Sequence, residues 1–484
     1  MLSQLLALLF LFLFSLLFLF LIRIRKPSSS SAKLPRSYPI VGTFLTAKAN
    51  KHRRNQWFAE LVQNSPSATF VIKHLLGPRQ ILTGNPAVVH HILKSHFSNY
   101  GKGQAFRIPL SDFLGDGIFS TDGDTWKFQR QVASYEFNTK SLRKFVETVV
   151  DSELSDRLLP ILSSAAASAA VLDFQNLLQR LAFDNICKIA FGHDPAYLLP
   201  SLPDSKFAAA FDAATAISGP DLCRCSLWCG KSRREKKEEL AEKSSLDSVD
   251  LLSRFLRSGH SDEKFVVDIV ISFILAGRDT TSTALTWFFW LLSKNPHVER
   301  EILKEIINIE NEKPDEEISV YEEMKDMVYT HAALSESMRL YPPVPSDSKE
   351  AANDDVLPDG NAVRKGEKVT YHPYAMGRLE ALWGKDWAEF RPERWLKADV
   401  ATGKWEFVGR DPYTYPVFQA GPRMCLGKDM AFLQMKRVVT GVMRLFRVVP
   451  AMEEGVEPVY VSDLTSKMKG GFPVKIEERT NNCV

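Results

Sequence analysis

Apolar positions along the chain fall into three regimes. The first is an unbroken run from Leu2 to Ile22, with no charge and only Ser3, Gln4 and Ser15 as clearly polar positions. A helix of these 21 residues matches a hydrocarbon core of about 30 Å, so the pattern predicts a transmembrane anchor over residues 1–22. The second regime is a helical period. A helix of roughly 30 residues is predicted from a cap at Ser261 or Asp262 to a stop at Asn295-Pro296. Its middle, Phe273-Ile274-Leu275-Ala276-Gly277-Arg278-Asp279-Thr280-Thr281, breaks an apolar stretch with glycine, acid and hydroxyl residues. A second helix covers Tyr329 to Leu340, ended by Tyr341-Pro342-Pro343. A third starts around Cys425 and runs to Phe446, with Phe432, Met435, Val439, Val442 and Leu445 on one face. The third regime is local and strand-like. Thr69 to Lys73 and Gln80 to Thr83, flanking Gly77-Pro78, predict a β-hairpin, and a second β region spans Lys349 to Tyr371 with turns at Pro358-Asp359-Gly360 and Gly366. There is no internal repeat and no boundary within 43–484. The fold class is therefore mainly α with a small β portion (α+β), one domain over 43–484 behind a basic, Pro-containing linker over 23–42.

Charge sharpens the reading at one end. The 45% hydrophobic and 25% charged content excludes a disordered, collagen-like or polytopic membrane chain. Nine cations and no acid precede Glu60, so a total of +3 leaves residues 60–484 at −6. A nucleic-acid binder holds its excess cations on the folded part, so no nucleic-acid partner is expected. Arg23, Arg25 and Lys26 follow the apolar run directly, which suits an anionic lipid surface and keeps the C-terminal bulk in the cytosol. A cleaved signal peptide would instead carry basic residues ahead of a shorter apolar run. The six cysteines of a cytosol-facing chain stay reduced, and Cys223, Cys225 and Cys229 lack the second ligand pair of a metal knuckle.

Chemistry concentrates in Phe418-Gln419-Ala420-Gly421-Pro422-Arg423-Met424-Cys425-Leu426-Gly427. Glycines and a proline deliver Cys425 to a helix start, where the dipole lowers a thiol's pKa and favours the thiolate. Such a thiolate serves as a nucleophile or a metal ligand; the nearest histidine in sequence, His372, is remote and does not decide between them. Glu336 and Arg339 share a helical face at i, i+3, and Trp126 and Arg130 do so at i, i+4. Gly101-Lys102-Gly103 lacks the spacing of a phosphate loop, His90-His91 does not share one helical face as a metal pair would, and Asp122-Gly123-Asp124 is too short for a calcium loop.

Phe418, Gly421, Arg423, Cys425 and Gly427 together resemble the haem-binding loop of the cytochrome P450 monooxygenases. Glu336-Ser337-Met338-Arg339, Phe390-Arg391-Pro392-Glu393-Arg394-Trp395, Ala276-Gly277-Arg278-Asp279-Thr280 and Trp126-Lys127-Phe128-Gln129-Arg130 are similar to further signatures of that family, in family order. The resemblance implies the cytochrome P450 fold and haem b, with the Cys425 thiolate as axial ligand of the iron, a donor that favours O–O cleavage over oxygen carriage. It implies that Trp126, Arg130 and Arg423 meet the haem propionates, and that Glu336, Arg339 and Arg394 form a structural triad behind the haem loop. Thr280 and Asp279 become a hydroxyl and a proton source at the oxygen site. Electrons are expected from NADPH through the NADPH–cytochrome P450 reductase, at an endoplasmic reticulum membrane crossed once, with the catalytic domain facing the cytosol.

Within the family, Ala351 to Gly360, Gly384 to Trp387 and Pro416 to Arg423 resemble the plant fatty-acid ω-hydroxylase group, family 94, some members of which oxidise jasmonoyl-amino acid conjugates. The implied substrate is a lipophilic carboxylate. Its apolar lining is expected from Phe106, Ile108, Leu110, Phe113, Leu114, Phe273, Ile274 and Val344. A hydroperoxide isomerase or dehydratase of the same fold, needing no reductase, and a haem or lipid carrier are the alternatives. One departure stands out: between Asp212 and Asp250 the segment is shortened and unlike the group, so the lid over the substrate channel is expected to be incomplete, as in an altered or mis-spliced product that gates substrate poorly.

Overall fold

The computed structural model describes residues 4, 9–16, 18, 43–73, 79–135, 137–204, 206–217, 255, 263–312, 319–399, 404–453 and 455–479. Of the apolar N-terminal run, residues 9–16 are helical with exposed side chains. No helix among the described residues is long and apolar enough to cross a membrane. Most of the expected anchor, the linker over 23–42 and the cysteines 223, 225 and 229 lie outside the described residues.

Seven helices position the site. They are α1 (Gln104–Leu114), α2 (Gly123–Ser134), α3 (Phe174–Phe191), α4 (Lys206–Ile217), the long rod α5, α6 (Val328–Leu340) and α7 (Lys428–Leu445). The rod α5 joins Glu263–Ile274, a wider π-turn at Leu275–Asp279, and Thr280–Lys294. Its last stretch is apolar nearly all round, and every side chain from Thr281 to Leu292 is buried, as a helix surrounded by protein must be. Trp287, Phe288 and Phe289 share one core with Leu177 and Leu181 of α3, Leu334 and Met338 of α6, and Met435 and Val439 of α7.

The strands lie to one side. β1 (Thr69–Ile72) and β2 (Gln80–Thr83) form the expected antiparallel hairpin, pairing Thr69 with Thr83. With β3 (Tyr100–Gly101), β4 (Asp347–Ala351) and β5 (Lys368–Tyr371) they build a five-stranded sheet in the order β1-β2-β5-β4-β3. The β2–β5 pair is parallel and the others are antiparallel. The expected β region over Lys349 to Tyr371 is thus present, with a small hairpin, Asp355–Val356 against Ala362–Val363, at its middle. A hairpin of Tyr460–Ser462 and Ser466–Met468 reaches back towards α5.

Two boundaries differ from expectation. The helix after the cysteine loop begins at Lys428 and not at Cys425, because Gly427 takes the N-cap position. Leu445 is exposed, unlike Phe432, Met435, Val439 and Val442, because the chain leaves the helix there for strand Phe446–Pro450.

Candidate active site

The Cys425 loop is held by its own backbone and by its neighbours. The Cys425 N–H donates to the Phe418 carbonyl at 2.8 Å, and the Met424 N–H to the Gly421 carbonyl at 3.0 Å. Gly421 has φ +66, and a Cβ there would collide with the Leu93 carbonyl, so only glycine lets the loop and the turn beneath it approach. Gly427 lies beside the thiol, where a Cβ would stand 4.0 Å from the Cys425 sulfur.

The thiol itself departs from expectation. Burial pushes the Cys425 pKa up, and the Gly427 N–H and the Arg130 charge only partly offset this. Two residues, Leu426 and Gly427, separate Cys425 from the helix start at Lys428, so the helix dipole does not dominate. A cation directly at the sulfur is what would make it a thiolate, as metal coordination does. His372 supplies no base for it. Its Nδ1 accepts from the Ala375 N–H at 3.1 Å while its ring packs on Phe58.

The structure brings the sequence-predicted cationic frame together around one indole. The Arg423 guanidinium lies 4.4 Å and that of Arg130 6.0 Å from the Trp126 ring centroid. Arg130 also donates to the Met424 carbonyl at 2.7 Å, and Arg423 to Asp122 at 2.6 Å and the Thr121 carbonyl at 2.7 Å. Both guanidinium pKa values are lowered, chiefly by burial. Among the described residues Arg130 has no carboxylate partner, which leaves a half-buried cation suited to an incoming carboxylate. Asp122, part of the would-be calcium loop, instead ties Arg423 and the Lys102 N–H into one cluster.

Behind this frame lies a buried polar network that sequence reading missed. Asp347 on β4 accepts from Lys102 at 2.9 Å, Lys349 at 2.8 Å, the Tyr371 hydroxyl at 3.1 Å and the Gln419 amide at 2.9 Å. The two ammonium groups hold the Asp347 carboxyl well below its usual range despite burial, and burial brings Lys349 down to about 7. Nothing in periodicity marks these residues; the alternate inward-facing polar positions Asp347 and Lys349 were the only available signal.

The triad is assembled and fully buried. Arg339 grips Glu336 through two nitrogens, both at 2.8 Å, and Arg394 reaches the same carboxylate at 3.1 Å. The Trp395 indole N–H donates to Glu336 at 2.9 Å. Arg339 also donates to the carbonyls of Gly377, Trp387 and Glu389, and Arg394 to that of Trp383. The Tyr415 hydroxyl donates to the Ser335 carbonyl at 2.9 Å, tying α6 to the chain that enters the cysteine loop.

Asp279 ends the π-turn of α5, and Thr280 opens the regular helix that follows it. The Thr280 hydroxyl donates to the Ala276 carbonyl at 2.6 Å. Asp279 is buried, not solvent-facing, and pairs with Arg278 at 2.9 Å and with the Thr465 hydroxyl at 3.2 Å. Burial raises the Asp279 pKa, opposed by Arg278 and reinforced by Asp212. The pairing of Arg278 with Asp212 was not expected from the sequence; their 2.7 Å contact links α5 to α4. A small polar cavity beside Asp279 is lined by Gln179, Thr215, Thr283, Asp463 and Lys467.

The expected apolar lining divides. Phe106, Leu110, Phe113, Leu114 and Ile274 share one cluster with Phe183, Phe211, Ile271 and Leu464. Phe273 belongs to a different cluster, with Val132 and Phe255, because adjacent helical residues point about 100° apart. Ile108 is exposed on the outer face of α1, and Val344, half-buried, is outside the cluster.

Residues 33–213 and 231–473 match the family model "Cytochrome P450". The chain belongs to the cytochrome P450 family. It is 60% identical to Cytochrome P450 94A1 of Vicia sativa over 472 residues, covering 92% of this chain and 91% of the relative. Identity to Cytochrome P450 94A2 of Vicia sativa is also 60%, over 94% of this chain and 93% of the relative, and to Cytochrome P450 94B1 of Arabidopsis thaliana 45%, over the same shares. These relatives place it in family 94. It is a haem monooxygenase fed by a reductase and acting on a lipophilic substrate. The residues present fit haem, through the exposed Cys425 thiol and the cationic frame of Arg130 and Arg423 beside it. The family match breaks between 213 and 231, within the segment whose shortening the sequence suggested; residues 218–254 lie outside the described residues.

Proposed function

We propose that this P450 hydroxylates the terminal carbon of a fatty acid, with electrons from NADPH through the NADPH–cytochrome P450 reductase. The observation that carries it is the apolar cluster of α1, α3, α4 and α5, which ends at the opened turn closed by Asp279, with Thr280 next in the chain. An unbranched apolar chain suits such a lining. Haem, when bound, supplies oxygen activation and insertion into a C–H bond.

The protein supplies the setting. Cys425 would hold the haem iron, and Trp126, Arg130 and Arg423 would bind the haem carboxylates, within the frame given by Phe418, Gly421 and Gly427. Glu336, Arg339 and Arg394 hold that loop in place and take no part in the chemical step. Asp279 is a proton store with a raised pKa, passing protons by way of the polar cavity and Thr465. Thr280 is free to exchange its backbone bond for one into the opened turn. The body is anchored in the endoplasmic reticulum membrane by residues 1–22 and faces the cytosol.

The test has two steps. The reduced, carbon-monoxide-bound spectrum should show the far-red Soret band of a thiolate ligand. Incubation with a long-chain fatty acid, reductase and NADPH should then yield the terminal alcohol, and Thr280→Ala should lower product formed per NADPH consumed by tenfold or more, on the order of a positioned proton-transfer group. Oxidation of a jasmonoyl-amino acid conjugate with no turnover of fatty acid would move the assignment to that substrate. Conversion of a hydroperoxide without NADPH would make the protein an isomerase.

A further inference from the structure

Away from the haem site, a π-turn at His91–Ser95 brings two histidines into register. The His96 N–H donates to the His91 carbonyl at 2.8 Å, the five-residue return that stacks one side chain on the other. The imidazole centroids are 3.9 Å apart with planes 24° from parallel. Asp355, at the start of the small 355–363 hairpin, faces them. Its Oδ2 lies 2.8 Å from His91 Nε2 and accepts from the Tyr100 hydroxyl at 2.9 Å. One ligand atom from each of His91, His96 and Asp355 falls within 4.8 Å of the others.

We propose that His91, His96 and Asp355 bind a borderline divalent cation of the zinc class. Two imidazoles and one carboxylate are the donor set such ions favour over calcium or magnesium, which take oxygen. Around a tetrahedral zinc, neighbouring donor atoms stand about 3.3 Å apart at ordinary ligand distances. The His91–Asp355 pair therefore opens by about half an ångström to admit the ion, losing the shared proton in exchange, and the exposed His96 ring turns out of the stack to aim its in-plane lone pair at the ion. The Tyr100 hydroxyl remains on Asp355 and orients it, the outer-shell bond that metal-bound carboxylates keep. His96 is exposed, while the His91 and Asp355 side chains keep 11% and 17% of their exposure, so ions and completing waters enter from one side. His90 takes no part: its ring meets Tyr413 and its Nδ1 meets Ser95.

The location gives the site a consequence. The Leu93 carbonyl of the same turn abuts Gly421 of the haem loop. A cation bridging His91, His96 and Asp355 pins this turn to the hairpin and stiffens the support beneath that loop.

The experiment uses untagged holoenzyme, stripped with chelator and dialysed against Zn2+, with bound zinc counted per haem. Wild type should bind one equivalent more than His96→Ala, and His90→Ala should match wild type. Asp355→Asn should weaken that equivalent tenfold or more. Zinc held by Cys223, Cys225 or Cys229 survives His96→Ala and so does not enter the difference. His96 is exposed, so its removal leaves the fold intact, and an unchanged carbon-monoxide spectrum checks this. Equal zinc content in wild type and His96→Ala overturns the proposal, as does a site that takes Ca2+ as tightly as Zn2+.

Discussion

Gln419 sits at φ 64 and ψ −177, a backbone region that only glycine adopts without strain. Both ends of its side chain hold it there, Oε1 sharing the one Tyr371 hydroxyl proton with Asp347 and Nε2 donating to Asp347. The residue trades strain for a link between the haem loop and β4. Gln419→Leu keeps the strain and removes one hydrogen bond from each of Tyr371 and Asp347, which still hold each other, and the loss costs about 1–3 kcal/mol. The urea midpoint of the holoenzyme should fall accordingly, and haem should dissociate faster; an unchanged rate would show that the link does not support the loop. Cys425 makes a complementary point. Its sequence position suggested a thiol acidified by a helix, whereas desolvation by its surroundings raises the pKa, offset in part by the Gly427 N–H and Arg130.

Between elements, the strongest junction is that of α6 with the segment around Arg394. The Glu336 carboxylate lies between the buried guanidiniums of Arg339 and Arg394; Arg394 also meets Asp386 at 2.8 Å, whereas Arg339 otherwise donates only to carbonyls. Glu336→Gln removes that charge and should cost about 3–5 kcal/mol, the usual penalty for an uncompensated buried ion. Loss of folded holoenzyme in denaturant melts measures it, and a cost under 1 kcal/mol would mean that water reaches the triad. A second junction, α6 with α7, contains His331 stacked on Phe432 at 3.9 Å. Burial lowers the His331 pKa to about 3. The unfolded chain takes up this proton near pH 6.5 while the folded one does not, so stability is complete above pH 6.5 and is lost as pH falls towards 3. His331→Gln should flatten that acid-side slope by up to one proton, about 1.4 kcal/mol per pH unit, in melts compared from pH 7 to pH 4. His372, also brought to about 3 by burial, keeps its own share of the slope in that variant.

For the whole molecule, charge and apolar length divide the labour. The nine cations ahead of Glu60 are unopposed by any acid, and the remainder is net acidic. A body held only by surface charge would leave the membrane in high salt, whereas one held by residues 1–22 resists it. The full chain is expected to stay in the pellet after high-salt and carbonate washes of membranes, and a chain starting at residue 27 to appear in the supernatant. Retention of the shorter chain would assign the anchoring to the body.

Much of this protein was legible in the order of its residues. The β1–β2 hairpin, the long α5 and its opened turn, the α6 boundaries and the glycine-framed cysteine loop all follow from local rules, because turns, caps and helical period act over a few positions. The Trp126, Arg130 and Arg423 frame and the Glu336, Arg339 and Arg394 triad were legible through motifs. Only the folded chain decided that Asp347 collects Lys102, Lys349, Tyr371 and Gln419, that Asp279 is buried against Arg278 and Thr465, that Phe273 and Ile108 leave the apolar cluster, and that His91 meets His96 and Asp355. Each of these depends on which distant segments share a volume and on how much water that volume excludes. Desolvation and long-range contact belong to the packed interior, and no window of sequence contains them.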